Sequence, residues 1–176
     1  MIKTTLARIQ QRHRTTGYPE GPPPPLPERF RGRPVIAAGA CPDGCRACAE
    51  ACPTGAITLA GGVRLDLGKC LFCSECAAAC PAQAIRFGHD FRLAASRRED
   101  LVLAGDDARL AVELSHRLRR LLGRSLKLRV VSAGGCNACE ADVNVLSTIG
   151  WDLGRFGIQY VASPRHADGL LITGPV

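Results

Sequence analysis

In the second half of the chain, apolar residues recur at helical intervals in one segment and form short continuous runs in others. From Asp106 to Gly123, leucines recur three and four residues apart, which predicts a helix with Asp106 or Asp107 as its N-cap and Gly123 at its end. The leucines on the apolar face of this predicted helix are Leu110, Leu114, Leu118, Leu121 and Leu122. Short apolar runs at 126–131, 158–163 and 169–174 predict strands, and 140–149 predicts a helix. This order is typical of an α/β sheet with parallel strands.

The first 34 residues have a different character. Residues 3–14 predict one short basic helix, and five prolines within 22–27 predict a polyproline-like spacer. This arm carries seven of the 23 Lys and Arg residues, in a chain whose net charge is +7. It is either a solvated arm or a segment that lies on an acidic partner or on anionic lipid headgroups. Because it lacks aromatic residues spaced to stack on bases, we expect no nucleic-acid partner.

Ten cysteines are grouped rather than scattered, which favours metal or cluster binding over a disulfide framework. They are Cys41, Cys45, Cys48 and Cys52, then Cys70, Cys73, Cys76 and Cys80, then Cys136 and Cys139. The N-terminus has no apolar core typical of a secretory signal, and no apolar run is long enough to span a bilayer. We therefore expect a cytoplasmic protein with reduced thiols, attached to a membrane only through partners.

The first eight cysteines belong to an internal repeat. Residues from Cys45 onward align with those from Cys73 onward at a constant offset of 28. The aligned pairs are Cys45 and Cys73, Cys48 and Cys76, Cys52 and Cys80, Pro53 and Pro81, and Ile57 and Ile85. Two units too small to fold alone predict one pseudo-symmetric domain.

The spacing in the second motif is that of the bacterial ferredoxin run, in which the fourth cysteine binds the other cluster. The first motif has one extra residue after Cys41. We therefore expect two 4Fe–4S clusters in an α+β ferredoxin-like domain. Cluster I would use Cys41, Cys45, Cys48 and Cys80, and cluster II would use Cys70, Cys73, Cys76 and Cys52. Paired structural zinc sites are the alternative, but these do not need the Cys-Pro endings at Pro53 and Pro81.

Such clusters move single electrons, so we predict no catalytic residue on this chain. His89 and Asp90, which follow the second repeat, are interpreted as a solvated turn. Cys136 and Cys139 leave three alternatives open: a thioredoxin-like dithiol, a structural thiol pair, or half of another cluster site.

A family resemblance favours the last alternative. The loop GGCNACE and the segments DLGRFGI, SPRHAD and LLITGPV resemble the small cluster-bearing subunit of energy-converting nickel–iron hydrogenases and formate hydrogenlyase, a family that includes the 20 kDa subunit of respiratory complex I. The complex I branch has adjacent cysteines at this loop, so the Cys-x-x-Cys pair favours the hydrogenase branch. Residues 1–105 are similar to the ferredoxin-like subunit of the same complexes, including RGRP and RLAASRREDL. The chain thus resembles a fusion of two subunits.

The resemblance implies four regions: an N-terminal arm (1–34), a two-cluster domain (35–95), a linker and helix (96–125) and the start of a flavodoxin-like α/β domain (126–176). It implies that Cys136 and Cys139 are the first two ligands of a third 4Fe–4S cluster. The other two ligands of the family lie beyond Val176, so we expect a truncated chain. Glu140 and Asp142 match a possible proton path or an ordinary acidic helix start. Arg165 and His166 are either contacts to the partner and cluster or ordinary surface charges.

The function implied is electron transfer within a membrane-associated oxidoreductase. Electrons would come from formate dehydrogenase or a ferredoxin and reach a nickel–iron site on a partner large subunit, next to membrane subunits on the inner face of the cytoplasmic membrane. A quinone-reducing enzyme like complex I and a free two-cluster ferredoxin carrier are the alternatives.

Overall fold

The computed structural model describes residues 2–12, 15–37, 39–105, 120–123 and 125–174. The chain divides into two compact units. One spans residues 26–115 and is called here the cysteine-rich unit; the other combines residues 1–25 with 116–175 and is called the sheet unit. The helix predicted from Asp106 lies outside the described residues except at its end, where residues 120–122 are helical.

The secondary structure consists of short elements. Apart from the helical residues 120–122, the helices of the described residues are α1 (Ile2–Gln11), α2 (Ala47–Glu50), α3 (Glu75–Ala79) and α4 (Ala138–Val145). The strands are β1 (Pro34–Ile36), β2 (Ile57–Thr58), β3 (Arg64–Asp66), β4 (Ile85–Phe87), β5 (Val102–Ala104), β6 (Leu126–Ser132), β7 (Ile158–Tyr160) and β8 (Gly169–Thr173). Within the part of the chain that the structure describes, three 3₁₀ turns occupy Arg98–Leu101, Leu153–Phe156 and Pro164–His166.

The repeat predicted from the cysteine spacing is visible in the cysteine-rich unit. Helices α2 and α3 stand at equivalent places in the two halves and pack against each other. Strands β2 and β4 also correspond, since Ile57 and Ile85 are separated by the 28-residue offset. The two halves share one core, because neither half has enough apolar surface to fold alone. Its buried members are Ile36, Cys48, Ile57, Leu65, Cys76, Ile85 and Leu103.

Two antiparallel sheets surround this core. Strands β1 and β4 form one, with Val35 opposite Arg86. Strands β2, β3 and β5 form the other, with Leu65 opposite Leu103. The prediction that 96–106 is a polar connection is therefore incomplete. Pairing with β3 buries Leu103 to 1% exposure, although charged residues precede this strand.

An ion pair ties this connection to β3. The guanidinium of Arg98 donates to both carboxylate oxygens of Asp66 at 2.8 Å. The hydrogen bonds from Arg98, aided by the amide of Gly68, outweigh desolvation and hold the pKa of Asp66 below its usual value. Because both oxygens are engaged, the pair fixes the direction in which the chain enters β5.

The sheet unit confirms the three predicted strands and their parallel order. Strand β6 lies in the centre, with β7 parallel on one side and β8 parallel on the other. Helix α4 follows β6 and is shorter than the predicted 140–149 segment. The first helix, α1, confirms the prediction for 3–14 and buries none of its residues.

The segment after α1 contacts the same unit. The guanidinium of Arg155 donates to the carbonyls of Thr16 and Tyr18 at 2.7 and 2.6 Å. The amide of Thr16 donates to the carbonyl of Gly150. These contacts attach the start of the proline-rich arm to the turn that leads into β7.

Candidate metal centres

The first cysteine motif wraps around the N-terminus of α2. Cys41 and Cys45 lie in the loop before the helix, and Cys48 lies within it, only 4% exposed. Burial raises the pKa of Cys41, and the neighbouring thiols of Cys45 and Cys80 raise it further because adjacent thiolates repel. Burial likewise raises the pKa of Cys48, with Cys41 and Cys80 as the nearby charges. The structure therefore brings Cys80 from the second motif to the cysteines of the first.

The second motif has the same arrangement around α3. Cys76, within the helix, is buried, and burial followed by the charge of Cys70 raises its pKa to about 11. The charges that raise the pKa of Cys70 and Cys76 include Cys52, from the first motif. The cysteines that line one small cavity are Cys52, Cys70, Cys73 and Cys76. The fourth cysteine of each motif thus lies with the other motif.

Cys52 and Cys80 are called here the crossing cysteines, because each closes one motif and lies with the other. They share a hydrogen-bonding pattern that the sequence alone did not predict. The amide of Ala56 donates to Cys52 Sγ, and the amide of Ala84 donates to Cys80 Sγ, each at 3.2 Å. Burial opposes ionisation of Cys52, but hydrogen bonds around its sulfur outweigh burial and lower its pKa. The alignment of Ala56 with Ala84 in the repeat was the available signal, since both stand four residues after the crossing cysteine.

The chemistry of the two thiol groups suits iron–sulfur clusters, since each group brings together several cysteines. A zinc ion needs its sulfur ligands within about 2.3 Å of one point. Among the described residues, which include all ten cysteines, no three His, Cys, Asp or Glu side chains converge on one ion in this way. In a 4Fe–4S cluster each iron takes a different cysteine, so the four thiols stand further apart around a shared centre.

Arg31 contacts the loop of the second motif. Its Nη1 donates to the carbonyls of Phe72 and Cys73, both at 3.1 Å. In the sequence, RGRP stands out only as part of a resemblance, because a contact between residues 41 apart leaves no local pattern. Phe72 and Ser74, on either side of Cys73, both adopt positive φ, of 54° and 67°.

The turn after β4 only partly matches the solvated turn expected from the sequence, because His89 is exposed whereas Asp90 is ion-paired. Asp90 accepts hydrogen bonds from Arg33 and Arg92, and its side chain is 23% exposed. The hydrogen bonds from Arg92 are the main reason that the pKa of Asp90 falls to about 2. His89 stacks edge-on against Phe30 at 6.4 Å between ring centroids. The interpretation of Asp90 as solvated is therefore wrong. Its ion pair with Arg33 joins the segment that precedes β1 to the segment that follows β4.

Cys136 and Cys139 lie in the sheet unit, and both are exposed. Cys136 belongs to the loop that follows β6, and Cys139 belongs to α4. The described residues place no third cysteine, histidine or acid with them as a single-ion site. The loop leaves the carboxyl end of the central strand of the sheet. At such a point neighbouring connections diverge, and α/β sheets commonly bind ligands there.

Glu140 is anchored beside this loop. Its Oε1 accepts a 2.5 Å hydrogen bond from the hydroxyl of Thr173. Hydrogen bonds from Ser132 and then Thr173 lower the pKa of Glu140. By contrast, Arg165 and His166 are exposed on the 3₁₀ turn before β8, and their side chains form no hydrogen bond or ion pair with a described residue. Asp142, on α4, is also exposed.

The cysteine-rich segment matches a known family. Residues 40–84 match the 4Fe–4S dicluster domain family. The chain therefore contains a 4Fe–4S dicluster domain within a mixed α/β structure. No helix among the described residues is long and apolar enough to cross a membrane.

Relatives of the chain are subunits of redox complexes. It is 46% identical over 59 residues to the probable membrane-bound hydrogenase subunit mbhJ of Pyrococcus furiosus, covering 34% of this chain and 35% of that protein. The identity to formate hydrogenlyase subunit 7 of Escherichia coli is also 46% over 59 residues, covering 34% and 23%. NADH-quinone oxidoreductase subunit I 2 of Anaeromyxobacter dehalogenans is 38% identical over 63 residues, covering 34% and 24%.

The resemblance to these families is thus confirmed: the chain is homologous to subunits of hydrogenase, formate hydrogenlyase and complex I type. It spans about a third or less of the length of each of these relatives.

Proposed function

We propose that this chain is an iron–sulfur electron-transfer subunit of a membrane-associated hydrogenase or formate hydrogenlyase complex. The observation that carries the proposal is the crossed grouping of thiols, in which Cys80 lies with Cys41 and Cys48 while Cys52 lies with Cys70 and Cys76. This arrangement suits two neighbouring clusters, each completed by a cysteine from the other motif.

The proposed ligands of cluster I are Cys41, Cys45, Cys48 and Cys80, and those of cluster II are Cys70, Cys73, Cys76 and Cys52. When bound, each cluster supplies one-electron transfer without bond making or breaking. The protein contributes the rest. Amides of Ala56 and Ala84 donate to ligand sulfurs and stabilise their negative charge, while the shared core keeps water from the buried sides of the two sites.

We further propose that the sheet unit is the first part of a flavodoxin-like domain, with Cys136 and Cys139 as two ligands of a third cluster. The position of their loop, beyond the carboxyl end of β6 and between β7 and β8, supports this. Further ligands would be needed, since the two exposed thiols offer only half of a four-cysteine set.

The proposed partners follow from the relatives named above. A nickel–iron large subunit would accept or supply electrons at the sheet unit, and a formate dehydrogenase or ferredoxin would exchange electrons at the dicluster domain. Membrane subunits would hold the assembly at the cytoplasmic face of the membrane. No catalytic residue is assigned to this chain.

The test is the metal content of the native assembly, purified without oxygen. Two four-iron clusters predict about eight iron and eight sulfide per chain, and a completed third cluster predicts about twelve of each. Co-purification of nickel with a hydrogenase-type large subunit would support the hydrogenase assignment. Zinc in place of iron would overturn the proposal.

A second candidate is a subunit of a complex I-like enzyme that reduces quinone. The 38% identity to NADH-quinone oxidoreductase subunit I 2 favours this alternative. The same purification separates the two, because the complex I-like enzyme would contain iron and sulfide without nickel. A chain that carries both clusters but purifies alone would instead be a soluble carrier.

A further inference from the structure

We propose that Arg31 sets the reduction potential of the second centre, formed by Cys70, Cys73, Cys76 and Cys52. This inference rests on the proposed function, because it assumes that these cysteines hold a cluster. It assigns a role to the RGRP segment, which none of the proposed ligand sets explains.

The starting observation is the contact between Arg31 and the ligand loop. One guanidinium nitrogen donates to two successive carbonyls, those of Phe72 and Cys73, at 3.1 Å each. Cys73 is itself a proposed ligand. A guanidinium keeps its positive charge at every physiological pH. Arg31 therefore places a permanent cation directly on the backbone that surrounds the second centre.

The fold holds Arg31 in this position. The next residue, Gly32, donates from its amide to the carbonyl of Gly88 at 2.7 Å, and Arg33 donates from its amide to the carbonyl of Asp90 at 2.7 Å. A Cβ at Gly32 would lie 2.4 Å from the Asp90 carbonyl oxygen, so a larger residue cannot fit there. The backbone on the C-terminal side of Arg31 is thus fixed against the strand β4 and its following turn.

The same strand also holds the ligand loop. The ring of Phe87, on β4, packs edge-on against Phe72 with 6.1 Å between centroids. The loop has left-handed backbone conformations at Phe72 and Ser74, which cost free energy for residues other than glycine. The hydrogen bonds from Arg31 compensate for part of that cost. Arg31 and the loop are therefore positioned by one shared element.

The first centre lacks this feature. By the 28-residue offset, the counterparts of Phe72 and Cys73 are Gly44 and Cys45. Among the described residues, no side chain donates to the carbonyl of either one. The charged residues of the first loop are Asp43 and Arg46, and the guanidinium of Arg46 pairs with the carboxylate of Glu50 at 3.5 Å. Within the described part of the chain, only the second loop thus has a cationic side chain that is hydrogen-bonded to its carbonyls.

This difference has a direct electrostatic consequence. Reduction adds one electron, and so one negative charge, to a cluster while its bonds to the protein stay intact. A fixed cation nearby stabilises the reduced form more than the oxidised form and raises the reduction potential. Arg31 therefore raises the reduction potential of the second centre above the value that the ligand loop alone would give. An electron in the domain is thereby biased toward the second centre.

The experiment is an EPR-monitored redox titration of the full chain with its clusters, in native, Arg31→Gln, Arg31→Lys and Arg29→Gln forms. The second centre is assigned as the signal that Cys70→Ala removes. Arg29 is a matched control because it is exposed and forms no hydrogen bond or ion pair with a described residue. Iron and sulfide are measured first, because a native chain without them would overturn the proposed function rather than this inference.

For Arg31→Gln we expect full iron content and a three- to tenfold lower ratio of reduced to oxidised second centre at a fixed ambient potential, tenfold being about 59 mV for one electron. Arg31→Lys should keep most of the native ratio, and Arg29→Gln should keep all of it. The first centre should change less than the second. An unchanged second-centre ratio in Arg31→Gln, or an equal fall in Arg29→Gln, would overturn the inference.

A salt titration of the native protein decides the matter if Arg31→Gln loses iron. The Arg31 side chain is exposed, so its field is screened as ionic strength rises. The reduced-to-oxidised ratio of the second centre should then fall with added salt, and more than that of the first centre. If the reduced-to-oxidised ratios of the two centres respond equally to salt, Arg31 only stabilises the ligand loop and the inference fails.

Discussion

The backbone amide of Ala84 donates a 3.2 Å hydrogen bond to Cys80 Sγ, although Cys80 closes the second cysteine motif and its thiol lies with Cys41 and Cys48 of the first. The amide of Ala56 holds Cys52 Sγ in the same way. Each half of the repeat therefore hydrogen-bonds, through its own backbone, a thiol that lies with the cysteines of the other half.

The proposal that Cys80 completes the cluster of the first motif can be tested by combining cysteine substitutions. Two substitutions at the same cluster should not have additive effects on the iron content. Cys80→Ala should remove about half of the iron of the dicluster domain, because one of two clusters is lost. Adding Cys41→Ala should remove little more, since both residues would belong to the same centre. Adding Cys73→Ala to Cys80→Ala should instead remove nearly all of the iron.

Iron and sulfide assays of the anaerobically purified proteins provide the measurement. Arg97→Gln is the control, because Arg97 is exposed and is not a proposed ligand, so the iron content should stay unchanged. If the Cys41 and Cys73 double variants lose iron in the opposite order, Cys80 belongs to its own motif and the crossed assignment is wrong.

The ion pair between Arg98 and Asp66 should stabilise the dicluster domain modestly. The Arg98 side chain is 39% exposed and its charge is screened by solvent, so Arg98→Gln should lower the free energy of unfolding only slightly. A double-mutant cycle with Asp66→Asn, measured by anaerobic urea denaturation at pH 7, isolates the interaction. Arg97→Gln is the control at an exposed neighbour. A coupling energy of zero at low salt would show that the pair only orders the connection.

Gly32 should tolerate no side chain. Gly32→Ala would place a Cβ 2.4 Å from the carbonyl oxygen of Asp90, and a backbone atom cannot move aside as a flexible side chain can. We expect a loss of about 1–3 kcal/mol in the free energy of unfolding.

Gly88→Ala is the matched control for this substitution, since its Cβ would meet Arg33 O at an ordinary 3.4 Å. Thermal denaturation of both variants measures the difference. Equal melting temperatures for the two variants would show that the segment before β1 shifts freely.

Glu140 should titrate at a higher pH when its hydroxyl partners are removed. Hydrogen bonds from Ser132 and Thr173 favour the ionised carboxylate and lower its pKa. Their stabilisation of the fold is present above the usual value of 4.5 and is lost as the pH falls through the lowered value. Ser132→Ala and Thr173→Val should each move the pKa of Glu140 upward.

Carbon-13 NMR of the labelled glutamate carboxyl follows this titration. Ser147→Ala, which changes an exposed hydroxyl near the end of α4, should leave the midpoint unchanged. A midpoint that also stays unchanged in Ser132→Ala and Thr173→Val would mean that these hydroxyls do not bind the ionised carboxylate.

Sequence patterns predicted those features that local spacing encodes. The cysteine spacing and the 28-residue offset predicted the repeat, and short apolar runs predicted β6, β7 and β8. Strand β5 escaped prediction because it is only three residues long and follows charged residues. Its Leu103 becomes a core residue only by pairing with Leu65, which is distant in the chain.

By itself, the sequence determined the number and grouping of the candidate ligands, because a loop that wraps three corners of a cluster requires cysteines at short, fixed intervals. Only the tertiary structure decided which charged side chains lie near each group of thiols. It placed Arg31 on the carbonyls of Phe72 and Cys73 and turned Asp90 into an ion-paired residue. Such contacts join residues far apart in the chain, where no periodicity links them, and they form only when β1 pairs with β4.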